Sequence, residues 1–295
     1  MSITAAFTSQ AVLLGAVLYY FGSVYTRTWY SYFGIDAGML GLSPVELTMR
    51  SLTPTFWPVV VALLVLLVLV AVRGLPFLIA RKTRKPRRTL RIWYALTLGV
   101  GAAALAIPAL IGLGVRYAWS LLSTLQPSAL ILGALLLGYA TTLRATYPAL
   151  LRRPSLPGRP RPRHRSATRP PTTAVMIALL GLGFAGTLWS IGAYAAQQGI
   201  TDARALAHAG FPDQPSILVF SVDRLGIEGT GTQVDEITVP GEKYRYLYSG
   251  VRLLARTPDT YFVIPQQWRP HRDRVFVIAR NDTLRIDIST TRNDN

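Results

Sequence analysis

Residues 56–72 read FWPVVVALLVLLVLVAV, seventeen positions without a charge. A helix rises about 1.5 Å per residue and a bilayer's hydrocarbon core is roughly 30 Å thick, so about 20 mostly apolar residues make a crossing. A globular core helix would show a polar face somewhere in that length. The run reads as a membrane span, reaching to about residue 75.

Four further stretches fit the same description, at about 10–29, 93–115, 126–146 and 172–196. The first is aromatic in its second half and beyond, with Tyr19, Tyr20, Phe21, Tyr25, Trp29, Tyr30, Tyr32 and Phe33. Such rings sit well between lipid tails and water. It has no Lys or Arg before its apolar run and no small-x-small cleavage site, so it reads as a retained helix. Gly99 with Ala103, and Gly181 with Ala185, place small residues at helical spacing where helices approach closely, which serves bundle packing or oligomerisation alike.

Charge orients the spans. Residues 1–197 hold nineteen Lys/Arg against two acids, and residues 198–295 hold twelve of each, so the net +17 belongs to the first part. Most of that excess flanks apolar runs, which is a membrane pattern and not a nucleic-acid one. One basic block, 81–91, contains Arg81, Lys82, Arg84, Lys85, Arg87, Arg88 and Arg91. The other, 151–171, contains Arg152, Arg153 and five more arginines among alternating prolines. Basic short loops stay in the cytoplasm. Five spans then place the N-terminus inside and the tail outside, in the cytoplasmic membrane. Arg81, Lys82, Arg84, Lys85, Arg87, Arg88, Arg152 and Arg153 are the expected contacts to anionic headgroups.

Between the first two spans, Ser43-Pro44-Val45-Glu46 has the form of a capping box with proline at the first helical position. A short helix from Pro44 to about Leu52 is expected, ended by Pro54 and Pro58. It lies on the membrane surface or, as a sharper alternative, re-enters it to line a cavity.

The tail changes period. Residues 201–209 read as a short stalk helix capped by Thr201 and closed by Gly210. Strands are expected at 217–222, 244–248, 251–255, 261–264, 275–279 and 283–288. Pro258-Asp259 and Asn281-Asp282 supply two-residue hairpin turns. This predicts a small, mainly antiparallel extracytoplasmic β domain within 198–295, and its charge balance predicts that residues from about 211 onward fold alone.

Little points to catalysis. Cysteine is absent, and His164, His208 and His271 have no carboxylate at metal-ligand spacing. No metal, cofactor or catalytic residue is expected, which leans away from an enzyme. Inside the spans there is no Asp, Glu or His, the usual proton-relay and cation-site residues. Asp36, Glu46, Arg50, Arg73, Arg116 and Arg144 are the candidates for a pathway or an interface.

The segments Trp29-Tyr30-Ser31-Tyr32-Phe33-Gly34-Ile35, Tyr248-Ser249-Gly250-Val251-Arg252-Leu253-Leu254 and Tyr261-Phe262-Val263-Ile264-Pro265 carry a resemblance. In them the chain resembles multi-pass membrane proteins of high-GC actinobacterial genomes that end in a small extracytoplasmic β domain. That resemblance implies organisation and no particular activity. The expectation is a non-enzymatic sensing or interaction module whose β domain binds a partner or envelope component, with self-association or a membrane-protein partner. The alternative is an oligomeric ion channel or transporter in which residues 30–55 contribute to the pathway.

Overall fold

A computed structural model describes residues 3–72, 74, 86–112, 119–146, 172–270 and 272–289. Among the described residues five α-helices, α1 (Ile3–Tyr32), α2 (Pro44–Val72), α3 (Pro86–Gly112), α4 (Trp119–Thr146) and α5 (Thr172–His208), precede six strands. A short 3-10 helix, Ala37–Leu40, follows α1. Among the described residues three helical stretches are long and apolar enough to cross a membrane: Arg88–Leu110, Gln126–Thr146 and Thr173–His208. The stretch expected as a span at 10–29 lies within α1, and the one expected at 56–75 overlaps α2 as far as Val72; neither is among those three. By Cα proximity the chain divides into two compact units, residues 1–55 with 194–295, and residues 56–193.

In the second unit α3, α4 and the first part of α5 pack through small residues. A side chain at Gly101 would meet Leu136 and Leu137 at 3.1 and 3.0 Å, and one at Gly186 would meet Leu130 at 3.0 Å. The expected pairs face elsewhere. Gly99 and Gly181 have nothing within 4 Å, and Ala103 and Ala185 are exposed. The interface residues are Gly101 and Gly186, two and five positions further on, so those glycines rather than the outward pairs bring the helices together.

Two helix ends expected from the sequence do not exist. The helix begun at Pro44 does not stop near Leu52 but continues through Pro54 and Pro58 to Val72. Pro54 removes the N–H that would bond the Arg50 carbonyl. Beside it the Ser51 hydroxyl donates to the Thr48 carbonyl at 2.6 Å, and Thr55 donates to Ser51. Hydroxyl groups of this kind help membrane helices carry proline. Likewise the stalk is the last part of α5, a helix of 37 residues. Thr201 caps nothing; its hydroxyl donates to the Gln197 carbonyl one turn back, at 2.8 Å. Gly199 inside the helix costs about 1 kcal/mol against alanine. It is retained because a side chain there would fall 2.7 Å from the Tyr25 carbonyl oxygen.

The expected end at Gly210 is real. Gly210 is left-handed (φ 72°), and the Phe211 N–H donates to the Leu206 carbonyl at 3.1 Å. Phe211 also has positive φ (60°), alone among described residues other than glycine. Its side chain is fully buried, which holds the backbone there.

The strands are β1 (Ser216–Ser221), β2 (Gln233–Glu236), β3 (Tyr246–Arg256), β4 (Thr260–Pro265), β5 (Phe276–Ala279) and β6 (Leu284–Ile288). All their pairings are antiparallel, in the order β5-β4-β3-β1-β6 with β2 beside β3. The runs 244–248 and 251–255 prove to be one strand, bent at Gly250 (φ 70°), where a side chain would fall on the Gly231 carbonyl oxygen. Pro258-Asp259 turns the β3–β4 hairpin, with Thr257 N–H donating to the Thr260 carbonyl at 2.8 Å.

Asn281-Asp282 does not make a hairpin. β6 pairs with β1, at the opposite edge from β5. Five flat strands about 4.8 Å apart would hold those edges nearly 20 Å from each other. Residues 280–283 bridge them while making a turn, with Leu284 N–H donating to the Asn281 carbonyl at 3.3 Å. The sheet therefore curls into an open barrel. Ile217, Val219, Tyr248, Val251, Val263 and Ile278 fill it, with Leu284 and Ile286 packed against them.

Candidate functional site

β4 is buried along Phe262, Val263, Ile264 and Pro265, with no alternation. Val263 points into the barrel, while Phe262 and Ile264 belong to a second cluster on the other face. A strand buried on both faces reads as a continuous apolar run, and YFVI is one. What covers the second face is the end of α1 and the chain just after it.

This second cluster contains Tyr30, Phe33, Ile35 and Leu40 from the α1 region, and Ala203 from α5. Phe211, Leu254, Phe262, Ile264 and Trp268 complete it from the tail. Phe33 lies at the centre of the aromatic contacts, with ring centroids 5.2 Å from Trp268 and 5.9 Å from Phe211. Trp268 in turn meets Tyr32 at 6.0 Å and Phe211 at 6.4 Å. Such tilted and edge-on pairs contribute about 0.5–1.5 kcal/mol each beyond their burial. Arg252 fastens the turn after α5 to β3 by donating through Nη1 to the Phe211 and Gln214 carbonyls, at 2.7 and 2.8 Å.

A polar layer joins the helices of the same unit. The Tyr25 hydroxyl donates to Asp202 Oδ2 at 2.9 Å, and Gln198 Nε2 donates to Asp202 Oδ1 at 2.8 Å. Arg50 Nη1 donates to the Tyr30 hydroxyl at 3.2 Å, with its guanidinium 5.6 Å from that ring's centre. α1 and the start of α2 touch backbone to backbone, since a side chain at Gly22 would fall on the Leu47 carbonyl oxygen. The Thr26 hydroxyl and the Trp268 indole nitrogen are buried here without a hydrogen-bond partner.

Of the pathway or interface candidates that lie in the described residues, Arg50 alone joins this junction. Asp36 is exposed and caps the 3-10 helix, accepting from Gly38 N–H at 3.1 Å. Glu46 completes the expected capping box: Ser43 N–H donates to its Oε2 at 2.7 Å, and Glu46 N–H donates to Ser43 Oγ at 3.2 Å. Those Ser43 hydrogen bonds hold the Glu46 carboxyl below its ordinary pKa. Arg144 is exposed in the last turn of α4, where a cation complements the helix dipole. Arg87 and Arg88 lie in the first turn of α3, Arg88 exposed. Arg73, Arg116, Arg81, Lys82, Arg84, Lys85, Arg152 and Arg153 lie outside the described residues.

Asp202 was not singled out from the sequence. Its signal was present in Gln198 and Asp202 at i,i+4 on a helix otherwise rich in alanine, but it read as stalk. Among the described residues no group of three or more His, Asp or Glu side chains is placed to hold a metal ion. The junction offers packing and hydrogen bonds that tie a sheet to helices. No protein-family model, no curated protein and no solved structure matches this chain.

Proposed function

We propose that the chain is a five-span protein of the cytoplasmic membrane, N-terminus inside, whose β domain lies outside and binds a partner or envelope component. It works as a non-enzymatic sensing or interaction module. One observation carries this reading: the outer face of β4 is sealed against α1 and α5 by Phe33, Phe211 and Trp268. A load or ligand on the sheet therefore bears directly on the ends of two helices, without a flexible tether to absorb it. The basic segments 81–91 and 151–171 support the orientation and would meet anionic lipid on the inner face.

Two experiments test the proposal. A reporter active only outside the membrane should be active when fused after Asn295 and silent when fused after Arg163; activity at Arg163 reverses the orientation. A photo-crosslinking amino acid at exposed Val277 or Ile288 should give an adduct of discrete mass in cells that make the protein. Absence of adducts from both positions removes the interaction reading. For the channel alternative, charged rings at a pore mouth set selectivity, and Asp36 and Glu46 are instead engaged in local caps. Current through reconstituted protein whose reversal potential moves on neutralising Asp36 and Glu46 would establish the channel.

A further inference from the structure

The β unit carries a cleft of about 440 Å³ where the β5–β6 link crosses the barrel. Lys243, Tyr244, Tyr261, Arg280, Asn281 and Asp282 line it. Among the described residues neither Lys243 nor Arg280 is in an ion pair, so both bring cations without a carboxylate partner. The Lys243 ammonium lies 5.6 Å from the centre of the Tyr244 ring. The Arg280 backbone is pinned, its N–H donating to the Asp259 carbonyl at 2.8 Å. Asn281 Oδ1 accepts from the Thr283 N–H and hydroxyl at 3.2 and 2.7 Å, which leaves its amide N–H₂ to donate.

We infer that this cleft binds a saccharide bearing an anionic group, a carboxylate or a phosphate. The volume lies within the range of small-molecule sites and suits a mono- or disaccharide. Two cations and an amide supply charge-assisted and neutral donors for the anionic oxygens. Tyr244 and Tyr261 each bring a phenol hydroxyl to a lining that is mainly polar. Asp282 decides between a bare anion and a sugar. A lone carboxylate beside the cations repels a small anion but accepts from sugar hydroxyls. The inference deepens the proposed function by naming what the outward-facing domain would engage, and it rests on that reading.

Full-length protein in zwitterionic nanodiscs, titrated calorimetrically with glucuronate, glucose 6-phosphate, glucose and inorganic phosphate, tests it. Both anionic sugars should bind saturably, at least about tenfold tighter than glucose or phosphate. Lys243→Gln and Arg280→Gln should each weaken them about tenfold, the size of one charge-assisted contact. Asp282→Asn should act in the opposite direction on inorganic phosphate, tightening it, while narrowing the preference for the sugars. No saturable binding of either anionic sugar, equal binding of glucose, or affinity unchanged in both cation variants overturns the site. The titration is independent of which side of the membrane the domain occupies. A failed orientation test with intact binding therefore refutes the proposed function and leaves the cleft's chemistry standing, and the converse result does the reverse.

Discussion

Tyr30 and Phe33 at the end of α1 are 3% and 4% exposed, whereas Ile177 and Leu180 early in α5 are 65% and 69% exposed. Both pairs are apolar residues on long helices. One is covered by protein, and the other, on a stretch apolar enough to cross a membrane, is left uncovered within the chain. Hydrophobicity in this chain says that a surface will be covered and is silent about by what. Of the aromatic residues of α1, expected in part as an interfacial belt, Trp29, Tyr30, Tyr32 and the following Phe33 are the lid of a β-sheet.

The most severe way to break that contrast is to remove the lid. Residues 198–295 produced alone would bare Phe211, Phe262, Ile264 and Trp268, which α1 covers in the full chain. We expect an aggregating or dye-binding fragment, despite balanced charge, and recovery of solubility when residues 1–55 are supplied with it. A soluble, dye-silent monomer would show that the lid is dispensable.

Single substitutions sharpen it. Phe33→Ala should cost about 3–5 kcal/mol, as large-to-small changes in packed cores do. Leu180→Ala in the exposed stretch should stay within about 0.5 kcal/mol. Hydrogen exchange at β4 in nanodiscs reads the difference, and equal effects would dissolve the distinction. Tyr25→Phe leaves the packing and removes one hydrogen bond to a carboxylate, at about 2 kcal/mol, seen as faster exchange around Asp202.

The smallest effect lies at the capping box. Ser43→Ala should lower stability by about 1 kcal/mol. The Glu46 carboxyl, held below its ordinary 4.5 by Ser43, binds its proton less readily folded than unfolded. Its contribution is present above 4.5 and disappears as pH falls through the lowered folded value. Glu46→Gln should flatten that acid limb, measured as helix unfolding against pH.

The helices were legible because each needs only its own residues to satisfy its backbone, and Ser43 with Glu46 was legible for the same local reason. Breakers misled where a tertiary contact overrode them. Thr201 read as a start and Pro54 as an end, but close packing of Gly199 on α1 and back-bonding hydroxyls carried the helices past both. In the sheet, β4 was visible as a run of large apolar residues, while β2, with the polar sequence QVDE exposed throughout, carried no signal. The β6 partner could not be read from a turn, because closure of the barrel decides it. Asp202 needed Tyr25, 177 positions away, to become meaningful.

A still longer separation governs how the protein is made. Phe33 leaves the ribosome about 230 residues before the strand that buries it. At about 5–20 residues per second, translation alone separates the two by on the order of 10–50 s. Until β4 has been made and moved to its place, the aromatic end of α1 must be kept from other partners. A headgroup layer is well suited to shelter such rings in the interval. The first helix is then a berth, kept open until the last part of the chain arrives to dock.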